Sequence, residues 1–228
     1  LVLHFDVNET IMVGDPASNI NFGQSLNNLL AKVAFFQDAK GTHWHDGSPV
    51  NLAQRGGPEA STEPPPLLTS FEAERQWRKC YEVLRHDPKW PVSRFTEKGL
   101  PGEIYRQIYE DLHEQLRWRH APNQTFAPEG HHFLLPAFFQ TLLELEKQGR
   151  DFSVVIRTFG TDLPEVAKCI QAFARGEHPA FPSLPSLSRF DLDMKDALWV
   201  LRRADRTNVA SPMMLRRYKE PLGQDGLG

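Results

Sequence analysis

The sequence predicts an α/β domain built on a parallel sheet and interrupted by a large, mainly helical insertion. Three observations carry this prediction. Two short runs, LVLHFD (1–6) and SVVIRT (153–158), are dense in β-branched and aromatic residues and stop at polar ones, the pattern of strands buried in a parallel sheet. The second run leads straight into a helix with start and stop signals of its own. Between the two runs, apolar residues recur mostly at helical spacing. Strands that are each followed by helical material pair in parallel through a crossover.

Taken in order, residues 1–6 read as a fully buried strand, and SLNNLLAKVAFFQ (25–37) as an amphipathic helix. Residues 40–69, with GGPEASTEPPP, read as a long loop partly extended by its prolines. FEAERQWRKCYEVLRHD (71–87) keeps a 3.6-residue period through Phe71, Trp77, Cys80, Tyr81 and Leu84. GEIYRQIYEDLHEQLRW (102–118) and HHFLLPAFFQTLLELEKQGRD (131–151) read as two further helices, the latter stopped at Gly149. DFSVVIRTFG (151–160) returns to strand character. In TDLPEVAKCIQAFARG (161–176), Thr161 or Asp162 can cap a helix, Pro164 suits its first turn and Gly176 ends it. RFDLDMKDALWVLRRAD (189–205), after a Pro/Ser-rich loop, is expected to hold a short strand and a helix. The organisation is a core of residues 1–15 and 151–228 with an insertion of residues 16–150.

Bulk properties narrow the function classes. A net charge of −3 offers no basic excess for nucleic acid or an anionic membrane surface, and no apolar run approaches a membrane span. Cys80 and Cys169 lack C-x-x-C spacing, which argues against a disulfide framework or a cysteine zinc site and for a reducing, cytoplasmic compartment. His43 and His45 sit two apart, but no third ligand stands at diagnostic spacing, so they read as solvated loop residues. His131 and His132 read as a surface pair at a helix start.

Chemistry is expected where the strands end. In open parallel sheets ligands bind off the carboxyl ends of the strands. Asp6 ends the first run and Thr158 the second. An acid there is partly desolvated and must pair with a cation or do work. A carboxylate beside Mg²⁺ can attack phosphorus to give an aspartyl phosphate, and a hydroxyl can hold a phosphoryl oxygen.

HFDVNETI resembles the first motif of the haloacid dehalogenase-like (HAD) superfamily, an apolar strand followed by D-x-D-x-[TV]-[LIV], here Asp6-Val7-Asn8-Glu9-Thr10-Ile11. SVVIRTFG is similar to the second motif, an apolar strand ending in Ser or Thr, here Thr158. The resemblance covers roughly residues 1–15 and 151–176. It implies a Rossmann-like core, Mg²⁺ and phosphatase chemistry on a small phosphorylated molecule, and the insertion matches the position of the family's cap. Asp6 would be the nucleophile. Thr10, Thr158, Phe159 and Gly160 would contact substrate, and Mg²⁺ would be held by Asp6 and the Asn8 backbone carbonyl. Oligomeric state is left open.

The sequence departs from the family pattern twice. Asn8 stands where a second Asp would protonate the leaving oxygen and activate water, and an amide does neither. The later Lys and metal-binding acids have no clear counterpart. Lys195 for the former, and Asp191 and Asp193 for the latter, are the local candidates, without a convincing buried strand before them. The tail EPLGQDGLG reads as a loop or a cut, so the expectation is a truncated or alternative C-terminus. Two rival readings follow: a catalytically degenerate fold-mate that binds a ligand or partner, and a hydrolase of carbon–halogen or carbon–phosphorus bonds.

Overall fold

The computed structural model describes residues 1–14, 20–50, 63–69, 71–87, 89–158, 162–191, 199–203 and 213–217, the last two segments as backbone only. It is mixed α/β and divides into two compact units, Leu1–Val7 with Pro136–Gly228, and Asn8–Leu135.

The first unit carries the parallel pair. Strand β1 (Val2–Asp6) runs parallel to strand β4 (Ser153–Arg157), in a register from Val2 opposite Ser153 to Asp6 opposite Arg157. Backbone bonds close both ends: Ser153 N–H donates to the Leu1 carbonyl at 2.9 Å and Val7 N–H to the Arg157 carbonyl at 3.1 Å. Leu3, Phe5, Val154 and Ile156 form the half-buried face. Phe5 meets Phe138 edge-on at 5.2 Å, on helix α5 (Pro136–Lys147). Phe139 of α5 packs 4.5 Å from Phe173, on helix α6 (Leu163–Ala174).

The other face of the pair is open among the described residues, with Val2 58 % and Val155 39 % exposed. The expectation of a fully buried first strand is therefore corrected. A run of apolar residues signals burial on both faces, but side chains alternate along a strand, and only one face of this two-stranded sheet is covered. Helix α5 starts at Pro136, later than the pattern from His131 suggested, because proline's fixed φ and missing N–H suit a first helical turn. After α6 come a 3-10 turn (Pro185–Phe190) and an antiparallel pair, β5 (Trp199–Arg203) and β6 (Met213–Arg217). The short strand expected within 189–205 is present as β5, and residues 192–198 and 204–205, where the expected helix would fall, lie outside the described residues.

The second unit opens with helix α1 (Phe22–Val33), started by a capping box between Asn21 and Gln24. The chain then enters the short strand β2 (Phe35–Phe36), which pairs antiparallel with β3 (Arg78–Lys79). This pairing splits the helix expected over 71–87 into α2 (Phe71–Gln76) and α3 (Cys80–Leu84). Trp44 also bridges to Phe36 and is buried, so the His43–His45 segment is anchored in the core by its central residue. A 3-10 turn (Pro101–Tyr105) precedes helix α4 (Arg106–Gln115). The core joins Leu30, Ala34, Phe36, Trp44, Phe95 and Tyr105. A buried polar tie crosses it: Asn27 Oδ1 accepts from the Thr96 N–H at 2.8 Å and from its hydroxyl at 2.9 Å.

Candidate active site at the strand ends

Parallel pairing brings Asp6 and Arg157 to directly opposed positions at the carboxyl edge of the β1–β4 sheet, with Thr158 the next residue along. Opposed residues of a parallel ladder lie on the same face, here the exposed one, so the Asp6 carboxylate and the Arg157 guanidinium share it. The expectation that Asp6 would be desolvated on its strand side is not met: it is exposed, because the sheet face on its side is open. Thr158 is half-buried. The sequence reading paired Asp6 with Thr158 and missed Arg157, since the register that opposes it to Asp6 cannot be read from one strand alone.

The same edge holds the start of α6. β4 ends at Arg157 and α6 begins at Leu163, with Asp162 in the N-cap position. The side chain of Asp162 does not cap. Its backbone is helical (φ −74°, ψ −19°), whereas a capping residue is usually extended so that its oxygen reaches back to the first free N–H groups. Pro164 removes one of those donors. Asp162 is 7 % exposed, and its Oδ2 is buried without a hydrogen-bond partner. The expectation of a side-chain cap from Asp162 is thus corrected, and Thr161, the other capping candidate, lies outside the described residues.

Asn8 and Thr10 belong to the second unit. Asn8 is half-buried, and its Oδ1 has no hydrogen-bond partner. Glu9 takes a left-handed backbone, φ 58°, uncommon for a side-chain-bearing residue, and its carboxylate is held by Lys32 Nζ at 2.5 Å. Thr10 is exposed.

Of the later candidates, Asp191 is exposed and engaged on both oxygens by Arg175, which donates from Nε at 2.9 Å and from NH2 at 2.7 Å. That pairing holds the Asp191 carboxyl below its ordinary range and raises the Arg175 guanidinium. Asp193, Lys195, Phe159 and Gly160 lie outside the described residues.

Mg²⁺ takes oxygen ligands and is commonly held by one or two carboxylates, water and substrate phosphate. Among the described residues no group of three His, Cys, Asp or Glu could hold a metal by itself. At the sheet edge Asp6 offers an exposed carboxylate, one of the oxygen donors that such an ion takes.

A concavity lies wholly in the second unit, lined by Met12, Phe22, Glu129, His131, His132 and Phe133, among others. His131 stacks on Phe22 at 4.0 Å and meets His113 edge-on at 4.4 Å. Burial, then the His113 charge, lowers its pKa, and burial lowers that of His132. This pair is therefore less of a surface pair than the sequence suggested.

Comparison with family models, with curated proteins and with solved structures found no match to this chain.

Proposed function

We propose that the chain is a HAD-like hydrolase with a Rossmann-like core, acting on a phosphomonoester or phosphoanhydride of a small molecule. The observation that supports this reading most is the β1–β4 register, which opposes Asp6 to Arg157 on one face of the sheet. A carboxylate able to act as nucleophile and a guanidinium opposed to it on one sheet face suit transfer of a phosphoryl group to an aspartate.

In this reading Asp6 attacks phosphorus from its exposed face. Arg157 offers a planar fork of donors to the phosphoryl oxygens, and the Thr158 hydroxyl donates to another. The chemistry supplied by Mg²⁺, when bound, is neutralisation of charge on those oxygens. Asn8 keeps a second reading in play, a fold-mate that binds phosphate without turning it over. Its signature would be vanadate or fluoroaluminate binding with no hydrolysis.

The test is hydrolysis of p-nitrophenyl phosphate and acetyl phosphate in Mg²⁺, with Asp6→Asn as control. The reading expects turnover that falls at least about 10³-fold in Asp6→Asn, the scale of losing a nucleophile. Turnover that survives the substitution counts against it.

A further inference from the structure

The concavity of the second unit has two unlike walls. Met12, Ile20 and Phe22 give it an apolar side, and Glu129, His131 and His132, from one stretch of loop, give it a polar one. All six belong to Asn8–Leu135. The polar wall is held in place by its backbone. Trp118 N–H donates to the Gly130 carbonyl at 2.9 Å, His132 N–H to that of Leu116 at 2.9 Å, and Phe133 N–H to that of Phe126 at 2.8 Å. The volume of about 70 Å³ exceeds the roughly 10–15 Å³ that a water needs and falls short of the roughly 150 Å³ that encloses a benzene ring. A ligand of one ring or a short chain therefore seats part of itself here and leaves the rest in solvent.

Charge decides what that ligand carries. The Glu129 carboxylate is exposed. The cations that follow α4, Arg117 and Arg119, are both drawn to Glu114, at 3.3 and 3.0 Å. Among the described residues no Lys or Arg lines the concavity. The imidazoles do not replace them. His131 is stacked on Phe22 at 4.0 Å with His113 edge-on at 4.4 Å, and burial holds the pKa of His131 and of His132 below the ordinary range. At neutral pH the lining thus carries one formal charge, the negative one of Glu129. An anion is repelled there, whereas a protonated amine gains an ion pair and its apolar body is covered by the opposite wall.

We propose that this concavity is a binding site for a small primary ammonium ligand, its amine at Glu129 and its apolar body against Met12, Ile20 and Phe22. The site does not rest on the hydrolase reading, whose anionic substrate this wall repels.

The probe is benzylamine, with benzyl alcohol and benzoate as the neutral and anionic counterparts of the same ring. Each is titrated at neutral pH into the isotope-labelled full chain, and amide shifts are followed by NMR. Benzylamine should give saturable shifts at Met12, Phe22 and the Glu129–His132 loop. Benzyl alcohol should bind about three- to fivefold more weakly, the scale of one exposed ion pair, and benzoate should not saturate. Glu129→Gln alters an exposed loop position, and unshifted amides away from the loop verify its fold. It should weaken benzylamine by the same factor and leave benzyl alcohol unchanged. The proposal is overturned if benzylamine gives no saturable shift at these amides, or if benzyl alcohol or benzoate binds as tightly. Wild-type benzylamine affinity in Glu129→Gln also overturns it.

Discussion

Arg157 shows how much a single register decides. Read along the chain, it is one polar residue near the end of an apolar run, and polar residues are how strands usually stop. Only when β1 and β4 are set side by side does it fall opposite Asp6. The strand-end positions of Asp6 and Thr158 were legible because each closes an apolar run, a local feature. Asp162 was legible as a helix start, but not as an uncapped, buried acid, because that depends on its helical ψ of −19°. If Arg157 holds phosphoryl oxygens, Arg157→Ala should raise KM for p-nitrophenyl phosphate by about tenfold or more, the loss of a charge-assisted hydrogen bond of roughly 1.5–3 kcal/mol. Arg157→Lys should recover part of it. Steady-state kinetics decide this, and an unchanged KM in Arg157→Ala removes Arg157 from the site.

Elements differ in how far local rules reach. The end of α6 is wholly local: Gly176 takes φ +78°, its N–H bonds to the Phe173 carbonyl at 2.9 Å, and the Glu177 N–H bonds to that of Ala172 at 3.0 Å. This is the left-handed stop that glycine makes without strain. The segment around Trp77 is the opposite case. Its helical period is unbroken in sequence, yet Arg78–Lys79 is drawn into pairing with Phe35–Phe36, and the Cys80 N–H bonds to the Ala34 carbonyl at 3.0 Å. A partner more than forty residues away in sequence overrides propensity there.

The turn that follows α4 makes a further prediction. His131 faces Phe22 from α1, His113 from α4, Arg117 beyond it, and Glu129 on its own loop, whose carbonyl lies 3.3 Å from Nδ1. Its folded pKa lies below the ordinary histidine value of about 6.5, and that of His132 does too, with His120 and His131 as its charged neighbours. As pH falls through about 6.5 the unfolded chain takes up protons that the folded chain refuses, so stability present above that pH is lost below it. The carboxyls held low by partners, Asp46, Glu97, Glu146 and Asp191, give their own losses only in the more acidic carboxylate range. Thermal melts should therefore show Tm falling between about pH 7.5 and 5.5, and a smaller fall in His131→Gln. An equal fall in both proteins would take His131 out of the account.

At the scale of the whole chain, the sheet is closed across long sequence distance, with the Leu1 nitrogen donating to the Asp151 carbonyl 150 residues away. The second unit is formed within the intervening chain. Such non-local pairing carries a large loop-closure cost and forms slowly compared with local helices. Two strands flanking helical material led to the expected core of residues 1–15 and 151–228 around an insertion of 16–150. The unit boundaries, after Val7 and before Pro136, differ from the expected ones after residue 15 and before 151, since α5 packs with the strands. A doubly covered sheet was read from the apolar density of residues 1–6, whereas the described sheet has two strands and one covered face. No described helix is long and apolar enough to cross a membrane. The central claim is that this edge forms a covalent phosphoryl bond at Asp6. The most direct measurement is to expose the protein to acetyl phosphate and Mg²⁺, trap the acyl phosphate with borohydride, and map the modified residue by peptide mass spectrometry. The account predicts modification at Asp6 and none in Asp6→Asn. An unmodified Asp6, or a label that persists in Asp6→Asn, would contradict it.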